Sequence, residues 1–225
     1  MDEASGGDRE FAHGPLPRGR HRLDPEQVAE NQRRRLVAAM ARSVAERGYA
    51  ATSVDRILEG SGVSRGTFYE LFANRQECLL AAHEAAVAAL AERLDVACAG
   101  GQPWRERAIA AIGAVVEFAA QEPDLARLLT LDALAADNEA SKRGLAALDR
   151  FAAMLREGRE HYKPAAALPD TTERALVGAV AMTINARLLS GESLAGLEPQ
   201  LAYLVLVPYV GPAKARQLAG APPQS

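Results

Sequence analysis

The sequence predicts an all-α protein, and three observations support that prediction. Alanine, the strongest helix former, occupies 47 of the 225 positions. Aromatic residues, which favour strands, make up only 5% of the chain. Helix-capping residues followed by apolar faces recur along its length. A chain of this size forms one or two domains, and we expect about nine helices.

The composition disfavours several other classes of protein. Two cysteines, Cys78 and Cys98, provide neither a disulfide framework nor a zinc cluster, and this usage fits a reducing cytoplasm. The charged first 22 residues do not resemble a signal peptide, and no apolar run reaches the roughly 20 residues of a membrane span. Catalytic motifs and metal-ligand spacings are absent from the sequence. We therefore expect a cytoplasmic, non-enzymatic protein without cofactor or bound metal.

Charge is distributed unevenly along the chain, although the net charge is only -3. Residues 9–75 carry twelve arginines and eight acids, which gives +4. Residues 76–225 carry fourteen bases and eighteen acids, which gives -4. The basic segment is the part that can meet a polyanion such as nucleic acid, although ordinary solvated arginines produce the same excess.

Capping residues define two long helices near the N-terminus. Asp24 precedes a proline at the first helical position, and the first helix is expected over Pro25–Arg47. Gly48 ends it, because glycine adopts the left-handed conformation at little cost. A second capping pattern at residues 74–77 begins a helix that continues to about residue 97.

Two short helices are predicted between these long ones. The first begins after Thr52 and Ser53 and ends at Gly60 and Gly62, and Ser64 caps the second. Two short helices joined by a glycine-containing turn make a helix-turn-helix. The outer face of the second one can enter a major groove. The same spacing of the three helices also fits an ordinary three-helix bundle with a short third helix, and this alternative stays open.

Two strings of residues carry a resemblance to a known family. G-Y-A-A-T-S-V at 48–54 and G-V-S-R-G-T-F-Y-E-L-F-A-N-R-Q-E at 62–77 resemble the DNA-binding domain of the TetR family of bacterial transcriptional regulators. The resemblance covers about residues 25–80. It implies a homodimer that places two recognition helices on a palindromic operator of double-stranded DNA, with a ligand pocket in a larger helical C-terminal domain.

We predict four segments along the chain, of which the resemblance covers the second and the start of the third. They are a disordered basic arm at 1–23, a three-helix helix-turn-helix DNA-binding domain at 24–75, an effector-binding and dimerisation domain at 76–219, and a disordered tail at 220–225. Further helices are expected to begin near residues 103, 123, 138–141, 170 and 198. The third of these is expected to reach about residue 161 and the last about residue 218.

The recognition helix supplies most of the implied DNA contacts. Thr67 and Tyr69 match positions that touch bases and phosphates, and Arg65 matches a position that reaches a base edge. Ser64 is the cap, and Gly66 keeps the start of the helix slim. Glu70 departs from the basic or neutral residue common at its position, so it either faces away or accepts from a cytosine amino group.

Other DNA contacts are implied outside the recognition helix. Thr52 and Ser53 match the start of the preceding helix, where backbone N–H groups suit a phosphate. Arg75 stands where the family usually has a phosphate-holding lysine. Basic arms such as the one ahead of the first helix can lie in a minor groove, and the alternative is a plain disordered terminus. The arginines of this arm are Arg18, Arg20 and Arg22.

The C-terminal helices suggest a dimer interface and a pocket. The helices at about 170–190 and 198–218 are apolar on most faces, so they form either a four-helix interface with a second copy or part of the monomer core. Seven residues match pocket-forming helices, with plain core as the alternative, and an eighth, a buried amide, either orients a ligand or bonds a neighbouring carbonyl or its dimer mate. They are Trp104, Phe118, Leu128, Leu131, Phe151, Met154, Leu155 and Asn185.

The resemblance implies a sequence-specific repressor that leaves its operator when a small lipophilic effector binds. Movement of the fourth helix, which joins pocket to DNA-binding domain, is expected to couple the two sites. Two alternatives remain open at this point. One is a DNA-binding regulator without a small-molecule effector, controlled by a protein partner or by its own concentration, and the other is an activator.

Overall fold

The computed structural model describes residues 24–132 and 139–220, with side chains described outside 130–147 and Pro164. The α-helices of this part are α1 Pro25–Arg47, α2 Val54–Ser61, α3 Arg65–Leu71, α4 Arg75–Ala97, α5 Trp104–Gln121, α6 Pro123–Asp132, α7 Glu139–Arg156, α8 Gly158–His161, α9 Thr172–Ser190, α10 Leu197–Val210 and α11 Pro212–Ala219. A 3-10 helix spans Lys163–Ala167. The predicted arm (1–23) and the tail residues 221–225 lie outside the described residues.

The all-α prediction is confirmed for the described ranges, which contain no strand. The predicted caps of the two long N-terminal helices are formed. The Glu26 N–H donates to Asp24 Oδ1 at 3.1 Å, and the Glu77 N–H donates to Asn74 Oδ1 at 3.0 Å. These bonds satisfy helix-end donors that have no partner within the helix.

The helix expected to reach residue 161 is divided where the chain passes the indole of Trp104. A Cβ built on Gly158 would lie 2.4 Å from that ring. The ring packs against Tyr209 with centroids 4.7 Å apart, and its Nε1 donates to the Met154 carbonyl at 3.0 Å. Glycine is therefore required where α8 begins, because a larger residue would collide with a fixed ring.

Two other predicted helix ends differ from the structure. The helix expected over 198–218 is divided at Gly211, whose φ of +78° interrupts the α conformation, and α11 begins at Pro212. The structure therefore has more helices than the expected nine. Gly60 lies inside α2, which ends one residue later with Gly62 as its cap.

Two apolar cores organise the described part of the chain. The N-terminal core joins α1, α2, α3 and the first turns of α4, and includes Leu36, Met40, Ile57, Phe68 and Phe72. The C-terminal core joins α5, α7, α9 and α10, and includes Trp104, Phe118, Phe151, Leu201 and Leu206. Burial of apolar helix faces in these two cores is the main stabilising contribution.

Two helices contribute to both cores. On α4, Leu79 packs in the N-terminal core and Leu90 packs against the C-terminal core. On α6, Leu128 is completely buried in the N-terminal core, and Leu129 packs against the C-terminal core. A shift of either helix therefore changes packing at both ends of the molecule.

A buried ion pair joins α8, α9 and α10. The Arg159 guanidinium donates to both carboxylate oxygens of Glu173 at 2.8 Å, and the Tyr209 hydroxyl donates to Glu173 Oε1 at 3.0 Å. Burial opposes ionisation of Glu173, but the bonds from Arg159, from the residue's own backbone and from Tyr209 hold the pKa of this carboxyl below its ordinary value. Burial raises the pKa of the Tyr209 phenol, and the Glu173 charge raises it further.

Candidate nucleic-acid interface and effector cavity

The recognition helix α3 is anchored by one face and exposed on the other. Phe68 and Phe72 are buried, with ring centroids 5.8 Å apart. The Ser64 Oγ accepts from the Thr67 N–H at 3.1 Å and lies 2.9 Å from Thr67 Oγ1, so the predicted cap is formed. Tyr69, on the opposite face, is 52% exposed.

Arg65 and Glu70 share the exposed side of α3. Arg65 pairs through Nη2 with the carboxylate of Asp55 in the first turn of α2. The pair crosses between the two helices of the helix-turn-helix, and both side chains are more than half exposed. Glu70 is exposed as well. The sequence did not predict this ion pair, because ten residues and a turn separate Asp55 from Arg65.

Thr52 does not have the role that the resemblance implied. Its side chain is completely buried, and its Oγ1 lies 2.9 Å from Ser43 Oγ and donates to the Gly48 carbonyl at 3.0 Å. Its backbone N–H is also used, because it donates to the Tyr49 carbonyl at 3.1 Å. Thr52 therefore fixes the turn between α1 and α2 and has no free donor for a phosphate.

Ser53 and Arg75 lie on either side of that turn. Ser53 is exposed and caps α2 by accepting from the Arg56 N–H at 3.3 Å. Arg75, at the start of α4, donates through Nη1 to the Thr52 carbonyl, and its guanidinium lies 4.2 Å from the centroid of the Tyr49 ring. Arg75 thus secures the turn, and its remaining donors stay available for a phosphate.

The predicted minor-groove arginines, Arg18, Arg20 and Arg22, fall outside the described residues, so their contacts stay a prediction.

Gly66 is exposed at the start of α3. A Cβ added there would meet only Ser64 Oγ, at 3.7 Å, an ordinary contact. The folded chain itself therefore has room for a larger residue at this position.

A cavity of about 410 Å³ opens in the C-terminal part of the chain. We call it the central cavity. Its walls come from α4, α5, α6, α7 and α9, with Leu90, Phe118, Leu129, Phe151 and Val177 among the lining side chains. Concave, mostly apolar cavities of this size typically hold small molecules.

The charged groups of the central cavity are at its solvent side. Arg150 Nη2 and Asp95 Oδ1 lie 3.6 Å apart, and both side chains are about 70% exposed. Cys98 also lines the cavity, and burial raises the pKa of its thiol. The remaining lining residues within the described part of the chain are apolar or glycine. An ionised ligand group would therefore be stable only near the rim, since a buried charge without a partner is costly.

The eight predicted pocket residues have different outcomes. Phe118, Phe151 and Met154 line the central cavity. The side chain of Leu131 lies outside the described part of the structure. The other four are not among the described lining residues: Leu128 packs in the N-terminal core, Trp104 and Leu155 in the C-terminal core, and Asn185 is buried on α9.

Two of those four, Leu128 and Asn185, lie directly beside residues that line the central cavity, on an adjacent face of the same helix. Leu128 is one residue from Leu129, which does line the cavity. Asn185 is one residue from Ile184, which also lines it. Asn185 is 4% exposed, and its Oδ1 has no hydrogen-bond partner among the described residues. A rotation of about 100° per residue separates adjacent side chains on a helix.

Apolar side chains remain exposed on α9 and α10. Met182 and Leu189 on α9 are 51% and 56% exposed, and Leu204 on α10 is 39% exposed. Two small residues of α9, Ala175 and Ala186, are exposed as well. This surface is the part of both helices that the monomer core leaves uncovered.

Membrane-spanning helices and metal clusters are both absent from the described residues. No helix in 24–132 or 139–220 combines the length and the apolar character needed to cross a bilayer. Within the same ranges, no three His, Cys, Asp or Glu side chains are grouped in a way that could hold a metal ion.

Comparison with known proteins gives consistent results for the N-terminal domain and for the fold. Residues 36–82 match the family model described as bacterial regulatory proteins, tetR family. A search of curated proteins finds no match. The structure is similar to the fatty acid degradation regulator FadR from Bacillus halodurans, with a TM-score of 0.67 and 19% identity over 78% of this chain and 94% of that one.

Two further solved structures resemble this one with nearly the same TM-score and sequence identity. A TetR-like transcriptional regulator from Rhodococcus sp. RHA1 has a TM-score of 0.66 and 19% identity over 86% of this chain and 97% of that one. FadR from Bacillus subtilis, solved in complex with stearoyl-CoA, has a TM-score of 0.65 and 19% identity over 79% of this chain and 98% of that one. The protein therefore carries the N-terminal domain of the TetR family and has the fold of TetR-family regulators.

Proposed function

We propose that the protein is a sequence-specific DNA-binding repressor that releases a palindromic operator when a small lipophilic effector fills the central cavity. The exposed face of α3 carries the DNA half of this proposal. Tyr69, Arg65 and Glu70 project from a helix whose opposite face is fixed by Phe68 and Phe72. A rigid helix with one polar, exposed face suits the major groove, where base edges are distinguishable.

Residues 24–75 form the DNA-binding domain in this proposal, and residues 76–219 bind effector and dimerise. Ser53, Ser64, Thr67 and Arg75 flank the exposed face of α3 at helix starts, where phosphates are favourable partners. Arg18, Arg20 and Arg22 of the arm at 1–23 bind the adjacent minor groove. Residues 220–225 take no part.

A second copy of the chain completes the operator-binding form. The exposed side chains of Met182, Leu189 and Leu204 on α9 and α10 support a symmetric four-helix interface, since pairing would remove them from water. A two-fold dimer carries two copies of α3. Their separation has to match successive major grooves, roughly 34–36 Å apart or a multiple of that distance.

The effector half of the proposal depends on the central cavity. Its interior walls favour an uncharged or mainly apolar molecule, and any charged group would lie at the rim near Arg150 and Asp95. The regulator from Bacillus subtilis with a similar fold was solved with stearoyl-CoA. That ligand joins a long apolar chain to a polar head, and the central cavity likewise has apolar walls and charged groups at its rim.

Coupling between the two sites depends on α4 and α6. Leu90 on α4 and Leu129 on α6 line the central cavity, while Leu79 and Leu128 of the same helices pack in the N-terminal core. Arg42 on α1 and Asp124 on α6 add an ion contact of 3.7 Å. An effector that displaces these helices changes the separation of the two α3 helices, so effector and operator weaken each other's binding reciprocally.

The DNA half is tested by the salt dependence of binding to any duplex, which needs no knowledge of the operator. Arg75→Ala should lower affinity and reduce the slope of log K against log salt by about one unit for each phosphate that the variant no longer neutralises. Arg105→Ala is the matched control, because Arg105 lies on α5, far along the chain from the recognition helix, and its removal also takes away one charge. An unchanged slope for Arg75→Ala would exclude Arg75 as a phosphate ligand.

The effector half is tested with N-phenyl-1-naphthylamine, a neutral apolar fluorophore. Gly178 lines the central cavity, and a Cβ added there meets nothing within 4 Å. Gly178→Phe should fill the cavity and abolish the fluorescence increase given by the wild-type protein. Ala153→Phe is the control, because Ala153 is exposed on α7 and does not line the cavity. Equal fluorescence from both variants and wild type would place the probe elsewhere and contradict this use of the cavity.

A further inference from the structure

An acidic side chain lies where the proposed function would bring phosphates close. Asp55 is in the first turn of α2, directly after Val54 and the capping Ser53, and its side chain is 76% exposed. A carboxylate at this point of a helix-turn-helix would repel the DNA backbone if it stood alone. Its carboxylate instead pairs with Nη2 of Arg65, at the first residue of α3.

Stability of the fold does not account for this pair. Both side chains are more than half exposed, and exposed ion pairs contribute little to folding because water screens them and because two long side chains lose freedom. The two helices are already joined through the buried side chains of Ile57 and Phe68 in the N-terminal core. The consequence of the pair is therefore geometric: it restricts the rotamers of Arg65 on the exposed face of α3.

The chemistry of the guanidinium identifies what a restricted Arg65 would recognise. Only Nη2 is used by Asp55, and Arg65 has no other polar contact within the described residues. The remaining N–H donors stay free in a planar fork. Such a fork donates to two acceptors at once, and in the major groove guanine presents that pair of acceptors, O6 and N7.

We infer that Asp55 is a positioning residue that holds Arg65 for a guanine in each operator half-site. This inference rests on the proposed function, because it assigns part of the sequence preference of the same interface. Ordering the arginine before binding reduces the entropy lost on complex formation. The negative charge of Asp55 also disfavours DNA at sites that lack the guanine, so Asp55 contributes to specificity more than to affinity.

The test is selection of bound duplexes from a random-sequence pool by the full-length protein and three variants. Wild type should recover a site with a fixed guanine, and Arg65→Ala should lose the preference for that guanine. Asp55→Asn keeps the size of the side chain and removes its charge, and it should reduce the preference by roughly tenfold while total binding to random duplex stays equal or rises. Glu59→Gln, an exposed acid of the same helix, removes the same charge and should retain the guanine.

Each outcome decides the inference. If Asp55→Asn recovers the guanine as strongly as wild type does, or if Glu59→Gln loses it to the same extent, Asp55 does not position Arg65. A fourth variant, Asp55→Ala, controls for folding: if it and Asp55→Asn are both unfolded by circular dichroism, the pair maintains the domain and the inference is overturned. Failure of wild type to bind any duplex would instead overturn the proposed function, and that result is distinguishable from the other two.

Discussion

Gly66 is a residue whose identity the folded chain does not require. A Cβ there has ordinary van der Waals space, and the backbone does not have a positive φ. Glycine in a helix is less stable than alanine by roughly 0.5–1 kcal/mol, so its presence in the short helix α3 has a cost. Close approach of a DNA backbone to the start of α3 provides a reason for this cost.

Gly66→Ala should therefore separate stability from function. We expect the free energy of unfolding to be unchanged or to rise by up to about 1 kcal/mol, because alanine favours the helix. Affinity for duplex DNA should fall, because the methyl group meets the DNA backbone. Urea denaturation and fluorescence anisotropy measure the two quantities. A variant that binds duplex as tightly as wild type would show that the start of α3 does not approach DNA closely.

Glu173 illustrates a different kind of residue, a buried charge within the C-terminal core. Its carboxylate is completely buried and is bound by Arg159 and Tyr209. A helix was predicted to begin near residue 170, and α9 does begin at Thr172. The buried pair was not predictable, because Arg159 and Tyr209 are distant in sequence and most glutamates at a helix start are solvated.

The folded-state pKa of Glu173 lies below its unfolded value, so its ionised form stabilises the protein above the unfolded pKa of about 4.3. This stabilisation is lost as the pH falls through the folded pKa. Glu173→Gln should lower the free energy of unfolding by roughly 3 kcal/mol at pH 7, because Arg159 loses its buried partner. The deficit should shrink below pH 4 in urea titrations. Glu160→Gln, an exposed residue of α8, is the control, and an equal loss there would contradict this role.

At the scale of elements, the helices were predicted more accurately than their faces. Local caps such as Asp24 and Asn74 act within one turn, so they could be identified from neighbouring residues. The direction of a face depends on what packs against it, and α6 has neighbours on two sides. Leu128 and Leu129 consequently enter different environments, one the N-terminal core and the other the central cavity. No local pattern distinguishes them.

The junction of α7 and α8 gives a test of element packing. Gly158→Ala should lower the free energy of unfolding by about 1–3 kcal/mol, because its methyl group would overlap the fixed ring of Trp104. Gly178→Ala in α9 provides the comparison, since a Cβ there has no neighbour within 4 Å and alanine favours the helix. Chemical denaturation compares the two variants. Equal stability of both would mean that the α7–α8 junction relaxes without cost.

At the scale of the whole molecule, α4 and α6 join the two cores. The fourth helix was expected to link cavity and DNA-binding domain, and α4 lines the cavity with Leu90 while packing Leu79 in the N-terminal core. The part played by α6 was not predictable from sequence, because its contact with α1 arises only in the folded chain. The N-terminal core and the central cavity therefore share two helices, through which the proposed function would couple cavity occupancy to operator binding.

The most direct test of this account is the selection of bound duplexes from a random-sequence pool by the full-length wild-type protein. A two-fold dimer with exposed α3 helices should recover a palindrome whose half-sites are centred about one helical turn, or a multiple of it, apart. Recovery of no enriched sequence by folded protein free of added effector would contradict the account and would leave the basic N-terminal third without a DNA-reading role.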